Sequence, residues 1–194
     1  MEHFHLDFRG PFSWPGASSA PSVFECDYSE SAGIYLWTVP IEDAYLVYYV
    51  GETGRSFSKR FAEHYAQHAA GFYHIYAPRE FATGQKVMLW PGRHDVDQKR
   101  SVRECVEAFR SIATAISELS SLYRFFLAPS TAATGPRRRI ESAIARTLYA
   151  SPGKAGSFQD KGVHYESSTP GDPPLRCSIA SASRLIEVPA EILA

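Results

Sequence analysis

A small set of side chains in this sequence has the types and spacing for work on a phosphodiester. Tyr35 and Tyr49 lie in two short runs of aromatic and β-branched residues, 33–39 and 45–50, joined by the polar turn PIED. Paired strands would bring the two phenols near each other if both face one side. Gly51 follows at once, where the backbone can approach a neighbour closely or take an unusual φ. Arg60 and His64 are four apart, so on a helix they stack along one face. A planar, permanently charged Arg60 suits two phosphate oxygens at once, and a neutral His64 accepts a proton near neutral pH. Glu141 stands beside Ile140 and Ile144, and one carboxylate completed by water and phosphate oxygens is a usual way to hold Mg²⁺. Plainer readings exist. Strands favour tyrosine, and Tyr45, Tyr48 and Tyr49 crowd together. Arg60, His64 and His68 can form a solvated line with Glu63 as ion-pair partner, and Glu141 can pair with Arg137 one turn away. Glu104 and Glu118 are further acids on helical stretches.

The elements that must position these groups are legible in outline. Residues 33–39 and 45–50 read as a hairpin. Ser56 caps a helix running to about residue 70, with Phe57, Phe61 and Tyr65 as its apolar stripe. Gly135-Pro136 opens a later helix whose stripe is Ile140, Ile144 and Leu148. Between them, residues 72–90 read as strand and loop, with KVMLW the clearest strand. A long helical pattern then runs from about Gln98 to Leu122, with Val102, Val106, Phe109, Ile112, Ala113 and Ile116 on one face. YRFFLA reads as a strand, as do residues 3–8, and RGPFSWPGASSAPS as loop. Residues 151–174 are polar and rich in Gly, Pro and Ser, which predicts extended coil, and RLIEVPAEIL is expected to pack back as a short element.

The 194 residues fit one domain with some decoration, and 12 Phe, 11 Tyr and 3 Trp supply a core. The net charge of −1 announces no global basic field, so contact with nucleic acid must use a local patch. Arg55 and Lys59 near the first helix start, Arg137, Arg138 and Arg139 at the opening of the later one, and Lys154 are the candidates. Cys26, Cys105 and Cys177 are widely spaced without a CxxC pair, which predicts buried apolar thiols, no disulfide frame and a reducing, cytoplasmic setting. The N-terminus has no basic region followed by an apolar run, and no stretch approaches the roughly 20 apolar residues of a membrane span. His3, His5 and His94 have no ligand set and read as surface residues.

Gly33-Ile34-Tyr35 with Tyr49-Val50-Gly51, followed by a helix bearing Arg60 and His64 and a later Glu141, resembles the GIY-YIG nuclease family. The likeness covers about residues 31–150, with an insertion at about 72–122, an N-terminal extension at 1–30 and a C-terminal tail at 151–194. It implies an α/β (α+β) fold with a small, mainly antiparallel central sheet flanked by helices. It implies a metal-dependent endonuclease that hydrolyses DNA to a 5′-phosphate and a 3′-hydroxyl, with Tyr35, Tyr49, Arg60, His64 and Glu141 catalytic, Mg²⁺ or Mn²⁺ held on Glu141, and DNA as partner. Its size and flanking segments are similar to stand-alone restriction-type members. A homodimer or two visits would be needed to cut both strands. Relatives carry an asparagine after the glutamate; this chain has none, and Lys154, Gln159 and Lys161 are the substitutes available. A non-cutting nucleic-acid-binding module on the same scaffold is the alternative, and a metabolic or interaction protein that keeps only the scaffold is a third.

Overall fold

The structure, a computed structural model, describes residues 1–93, 100–160 and 172–194. Gln98, His94 and Lys161 lie outside the described residues. The strands and helices run in the order β1 (Glu2–Phe12), β2 (Gly33–Ile41), β3 (Ala44–Thr53), α1 (Phe57–Ala69), β4 (Ile75–Tyr76), α2 (Pro78–Phe81), β5 (Met88–Trp90), α3 (Val102–Leu122), β6 (Arg124–Pro129), α4 (Thr134–Tyr149), α5 (Lys154–Phe158), β7 (Leu175–Ser181), β8 (Leu185–Ile186) and β9 (Glu191–Leu193).

The fold is mixed α/β, but its sheet is larger than the small, mainly antiparallel one expected. Seven strands stand in the order β8-β3-β2-β6-β1-β7-β9. The β3-β2-β6-β1 neighbours are antiparallel, whereas β1–β7 and β3–β8 are parallel. The segments read as an extension and a tail supply β1, β7, β8 and β9. Leu6 and Phe8 of β1, Leu175 and Cys177 of β7 and Ile192 of β9 are buried. These pairings join residues more than 170 positions apart, such as Phe4 with Cys177, and no local pattern reports them. β4 and β5 form a separate two-stranded sheet.

The β2–β3 hairpin forms as its composition predicts. Tyr35 pairs with Gly51 and Trp37 with Tyr49, and a break in register after Trp37 leaves Tyr48 as an extra residue. Both consecutive tyrosines join one aromatic cluster: Tyr48 stacks near Tyr123 at 6.2 Å, Tyr49 lies 6.4 Å from Trp37, and Trp37 lies 5.0 Å from Tyr123. The loop residue Trp14 enters the same cluster, 4.6 Å from Phe125 and 5.6 Å from Phe61.

Ser56 caps α1 by accepting from the Lys59 amide. The buried face of α1 is Phe57, Phe61, His64 and His68, while Tyr65, expected inside, is 50% exposed. Positions 57, 61, 64 and 68 follow the 3.6-residue period, so the two imidazoles continue the stripe that the phenylalanines begin. On α3 the buried positions are Cys105, Ile112, Ala115 and Leu119, whereas Val102, Val106 and Phe109 are exposed. The helix carries two apolar stripes; the one with small Cys105 and Ala115 lets it lie close against its neighbours. A capping box between Ser101 and Glu104 starts α3, which assigns Glu104 a structural task. Part of the expected coil is helical: α5 buries Ala155, Gly156 and Phe158, and its amides at Lys154 and Ala155 donate to Glu187. The three cysteines are free thiols; Cys105 and Cys177 are buried and Cys26 is partly so. Among the described residues no helix is long and apolar enough to cross a membrane.

Ending the chain at residue 172 would remove the buried side chains of Leu175, Cys177 and Ile192 and strip β1 of its parallel partner. Such a truncated chain is expected to lose its cooperative denaturant transition, followed by circular dichroism. A sharp transition at the full-length midpoint would show the sheet ends at β1.

Candidate active site

The site is built around the peptide that joins Gly51 to Glu52. The phenol of Tyr35 lies across Gly51: a Cβ there would stand 2.3 Å from Tyr35 Cζ and 2.4 Å from its oxygen. Only a residue without a side chain leaves that room. From the other side, the Glu52 amide donates to Glu141 Oε1 at 3.0 Å. β8 pairs with β3 at Tyr45 and Leu46, so this amide lies beyond that pairing, at the far end of β3. One peptide thus brings a phenol and a carboxylate together.

Tyr35 is fully buried, and two groups from α1 hold its oxygen. Arg60 Nε donates to it at 3.1 Å and His64 Nε2 lies 2.7 Å away. Arg60 and His64, one helical turn apart, therefore clasp one atom. Burial pushes the Tyr35 phenol above its ordinary value, and Arg60 pulls it partway back. Burial, then the charge on Arg60, hold the His64 imidazole well below its ordinary value, so it is neutral at pH 7. Behind it, His64 Nδ1 lies 2.8 Å from the Tyr73 hydroxyl, which donates to Gln67 Oε1. The ring of Tyr49 sits 6.2 Å from that of Tyr35; it is partly exposed, and its hydroxyl has no partner among the described residues.

Glu141 is partly buried. Desolvation, then the neighbouring Glu52 carboxylate, push it up to about 7, against the pull of the Glu52 amide, Arg138 and Arg60. Its other oxygen, Oε2, takes no hydrogen bond among the described residues. Glu52 itself is tied to the same helix. Arg137 Nε donates to its Oε2 at 3.1 Å, and Arg138 Nε lies 3.6 Å from its Oε1. Among the described residues no group of three or more His, Cys, Asp or Glu side chains is placed to hold a metal. A lone, partly desolvated carboxylate with a free oxygen, beside a second negative charge, fits a hard cation that keeps most of its water.

Tyr35, Arg60, His64 and Glu141 meet at this place, and Tyr49 borders it. The expected basic patch is dispersed. Arg137 is buried, donating also to Ala132 O and Thr134 Oγ1, and Gly54 has no side chain where the guanidinium passes. Arg139 donates to the carbonyls of Pro173 and Ala194, and Arg55 makes a two-pronged pair with Glu63. Lys59 and Lys154 are exposed, on α1 and α5. Gln159 is buried at the end of α5, its carbonyl accepting from Lys86. His5 Nδ1 lies 2.9 Å from Ser178 Oγ, on the exposed end of β1. Sequence reasoning missed Tyr73 and Gln67. The continued 57-61-64-68 stripe is the signal that His64 points inward and needs polar partners there.

No family model matches this chain, and no curated protein or solved structure matches it.

Two outcomes test the geometry without any substrate. Gly51→Ala drives a methyl into Tyr35 and is expected to cost about 1–3 kcal/mol by denaturant melting; an unchanged midpoint would mean the phenol does not lie there. For Glu141, folding raises the carboxyl from 4.5 to about 7. Within that window the folded chain keeps a proton that the unfolded chain has released, so stability falls as pH rises. Glu141→Gln keeps the acceptor and removes the charge. It is expected to stabilise the metal-free protein on the order of 1 kcal/mol near pH 8, with the gain vanishing near pH 4. Destabilisation at the higher pH would contradict the arrangement.

Proposed function

We propose that this chain is a metal-dependent endonuclease of the GIY-YIG kind, hydrolysing phosphodiester bonds in DNA. The observation that carries the reading is the meeting of the Tyr35 oxygen, the Arg60 guanidinium, the His64 imidazole and the Glu141 carboxylate around the Gly51–Glu52 peptide. An ordinary sheet aromatic would not have its hydroxyl clasped by a cation and a neutral imidazole. An ordinary surface glutamate would not be pushed to about 7 with its second oxygen unpartnered among the described residues.

The residues divide the work as follows. Glu141 would hold Mg²⁺ or Mn²⁺, which would supply Lewis-acid stabilisation of the phosphate and the leaving oxygen. Arg60, whose Nε is held by Tyr35 and whose Nη1 lies 3.4 Å from Glu63 Oε2, offsets charge developing on the phosphate. Tyr35 is a poor base by itself, because burial disfavours its phenolate. It serves by passing its own proton to His64 as it takes one from the attacking water, so no free phenolate forms. Tyr49, whose hydroxyl has no partner among the described residues, orients that water or a phosphate oxygen. The products are a 5′-phosphate and a 3′-hydroxyl. Backbone phosphates away from the scissile one fall to the exposed Lys59, because Arg137 and Arg139 are committed to the protein.

Supercoiled plasmid incubated with Mg²⁺ or Mn²⁺ tests the proposal. The wild-type chain is expected to cut it, and Arg60→Ala, Glu141→Gln and Tyr35→Phe each to lose roughly a hundredfold or more in rate while staying folded. Cutting that survives in Glu141→Gln would refute the assignment. Salt-sensitive DNA retention with no cutting by any version would support a binding module instead.

A further inference from the structure

We infer that Tyr73 and Gln67 are positioning residues that hold His64 in the tautomer with its proton on Nδ1, leaving Nε2 as a lone-pair acceptor aimed at Tyr35. Neither residue belongs to the motif that drew attention to this site, and the inference rests on the function proposed above only for its kinetic consequence.

Two independent lines of hydrogen-bond accounting reach the same tautomer. The first starts from the back of the ring. Tyr73 spends its single hydroxyl proton on Gln67 Oε1, so at the 2.8 Å contact with His64 Nδ1 it can only accept. Nδ1 must therefore carry the proton. The second starts from the front. Tyr35 is fully buried and its oxygen receives the Nε–H of Arg60, a group that only donates. The Tyr35 hydroxyl proton needs an acceptor, since a buried unpaired donor costs about 1–3 kcal/mol. Among the described residues the acceptor within reach is His64 Nε2, at 2.7 Å. Nε2 must therefore be bare. The chain runs in one direction, from Tyr35 through His64 and Tyr73 to the Gln67 carbonyl.

The fold builds this line deliberately. His64 and Gln67 are three apart on α1 and so neighbour each other on its surface. Tyr73 comes back to them because the chain reverses at Gly71, whose φ is 65° and whose carbonyl accepts from Trp90 Nε1. The burial that keeps the imidazole neutral also keeps the question of tautomer open, and it is the partner on Nδ1 that answers it. Were the Gln67 amide turned the other way, its NH₂ would donate to Tyr73, Tyr73 would donate to Nδ1, and Nε2–H would point at Tyr35. Tyr35 could then pass no proton on.

The test is ¹⁵N NMR of the histidine-labelled full chain, with the His64 signals assigned by their loss in His64→Gln. Wild-type His64 is expected to show a protonated, pyrrole-type Nδ1 and an unprotonated, pyridine-type Nε2. Tyr73→Phe removes the acceptor and is expected to mix or invert the two signals. Gln67→Leu should do so in part, whereas Gln67→Glu keeps an acceptor for Tyr73 and should retain the wild-type pattern. In the plasmid assay, Tyr73→Phe is expected to lower kcat roughly tenfold or more with KM held, and Gln67→Glu to leave it near wild type. A wild-type Nε2 that carries the proton, or a Tyr73→Phe protein with unchanged His64 signals, would overturn the inference. If the spectra come out as expected and no version cuts DNA, the tautomer assignment stands and the nuclease reading fails.

Discussion

A phenol laid across a glycine is the contact on which the rest of this structure depends. With no Cβ at Gly51, the Tyr35 ring can cross its paired strand and set its oxygen beside the backbone of the next peptide. That single close approach fixes where α1 must sit, because Arg60 and His64 have to reach the same oxygen from one helical face. It also fixes where α4 must sit. The Glu52 amide near the end of β3 donates to Glu141, which ties the helix to the strand at this point. Here one amide of β3 is the ligand of a carboxylate, and that bond brings a second element to the site.

The electrostatics follow from the same geometry. Burying a neutral histidine beside an arginine and half-burying a glutamate beside another glutamate are both unfavourable, and both are held in place by the surrounding fold. Glu52 is the hinge of this balance. Its amide supports Glu141 while its carboxylate opposes it, and Arg137 and Arg138 hold that carboxylate one turn nearer the start of α4. Removing either partner of such a buried pair strands a charge, which is far more costly than the pair is worth. An arginine that looked like a phosphate ligand is thereby explained as a structural member: Arg137 is surrounded by acceptors of its own chain.

What the sequence disclosed and what it hid divide along physical lines. The hairpin, the Ser56 cap and the helix begun at Gly135-Pro136 are set by local propensity and periodicity, and they are legible. The placing of Tyr35, Arg60 and His64 on neighbouring elements follows from those same local rules. The width of the sheet was not legible, because β1, β7 and β9 find one another across most of the chain and no short window records a parallel pairing. Which of two apolar stripes α3 buries was equally hidden, since both obey the helical period and only the fit against α1, α2 and β4 chooses. The arginines of α4 could not be read either. Their direction depends on Glu52 and on the carbonyls of Ala132, Pro173 and Ala194, which are distant or irregular in the sequence. Tyr73 and Gln67 belong with these. A tyrosine after a glycine turn announces nothing until the turn is seen to bring it back against α1.

In the proposed site, the phenol and the carboxylate gathered by the Gly51–Glu52 peptide would receive one divalent cation. Broadening of backbone amide signals by added Mn²⁺ tests it most directly, because the effect falls steeply with distance from the ion. The amides of Gly51, Glu52 and Glu141 are expected to broaden first, and the effect at those positions to disappear in Glu141→Gln. Broadening that begins elsewhere in the chain, or that persists at Glu52 when Glu141 has lost its charge, would contradict it.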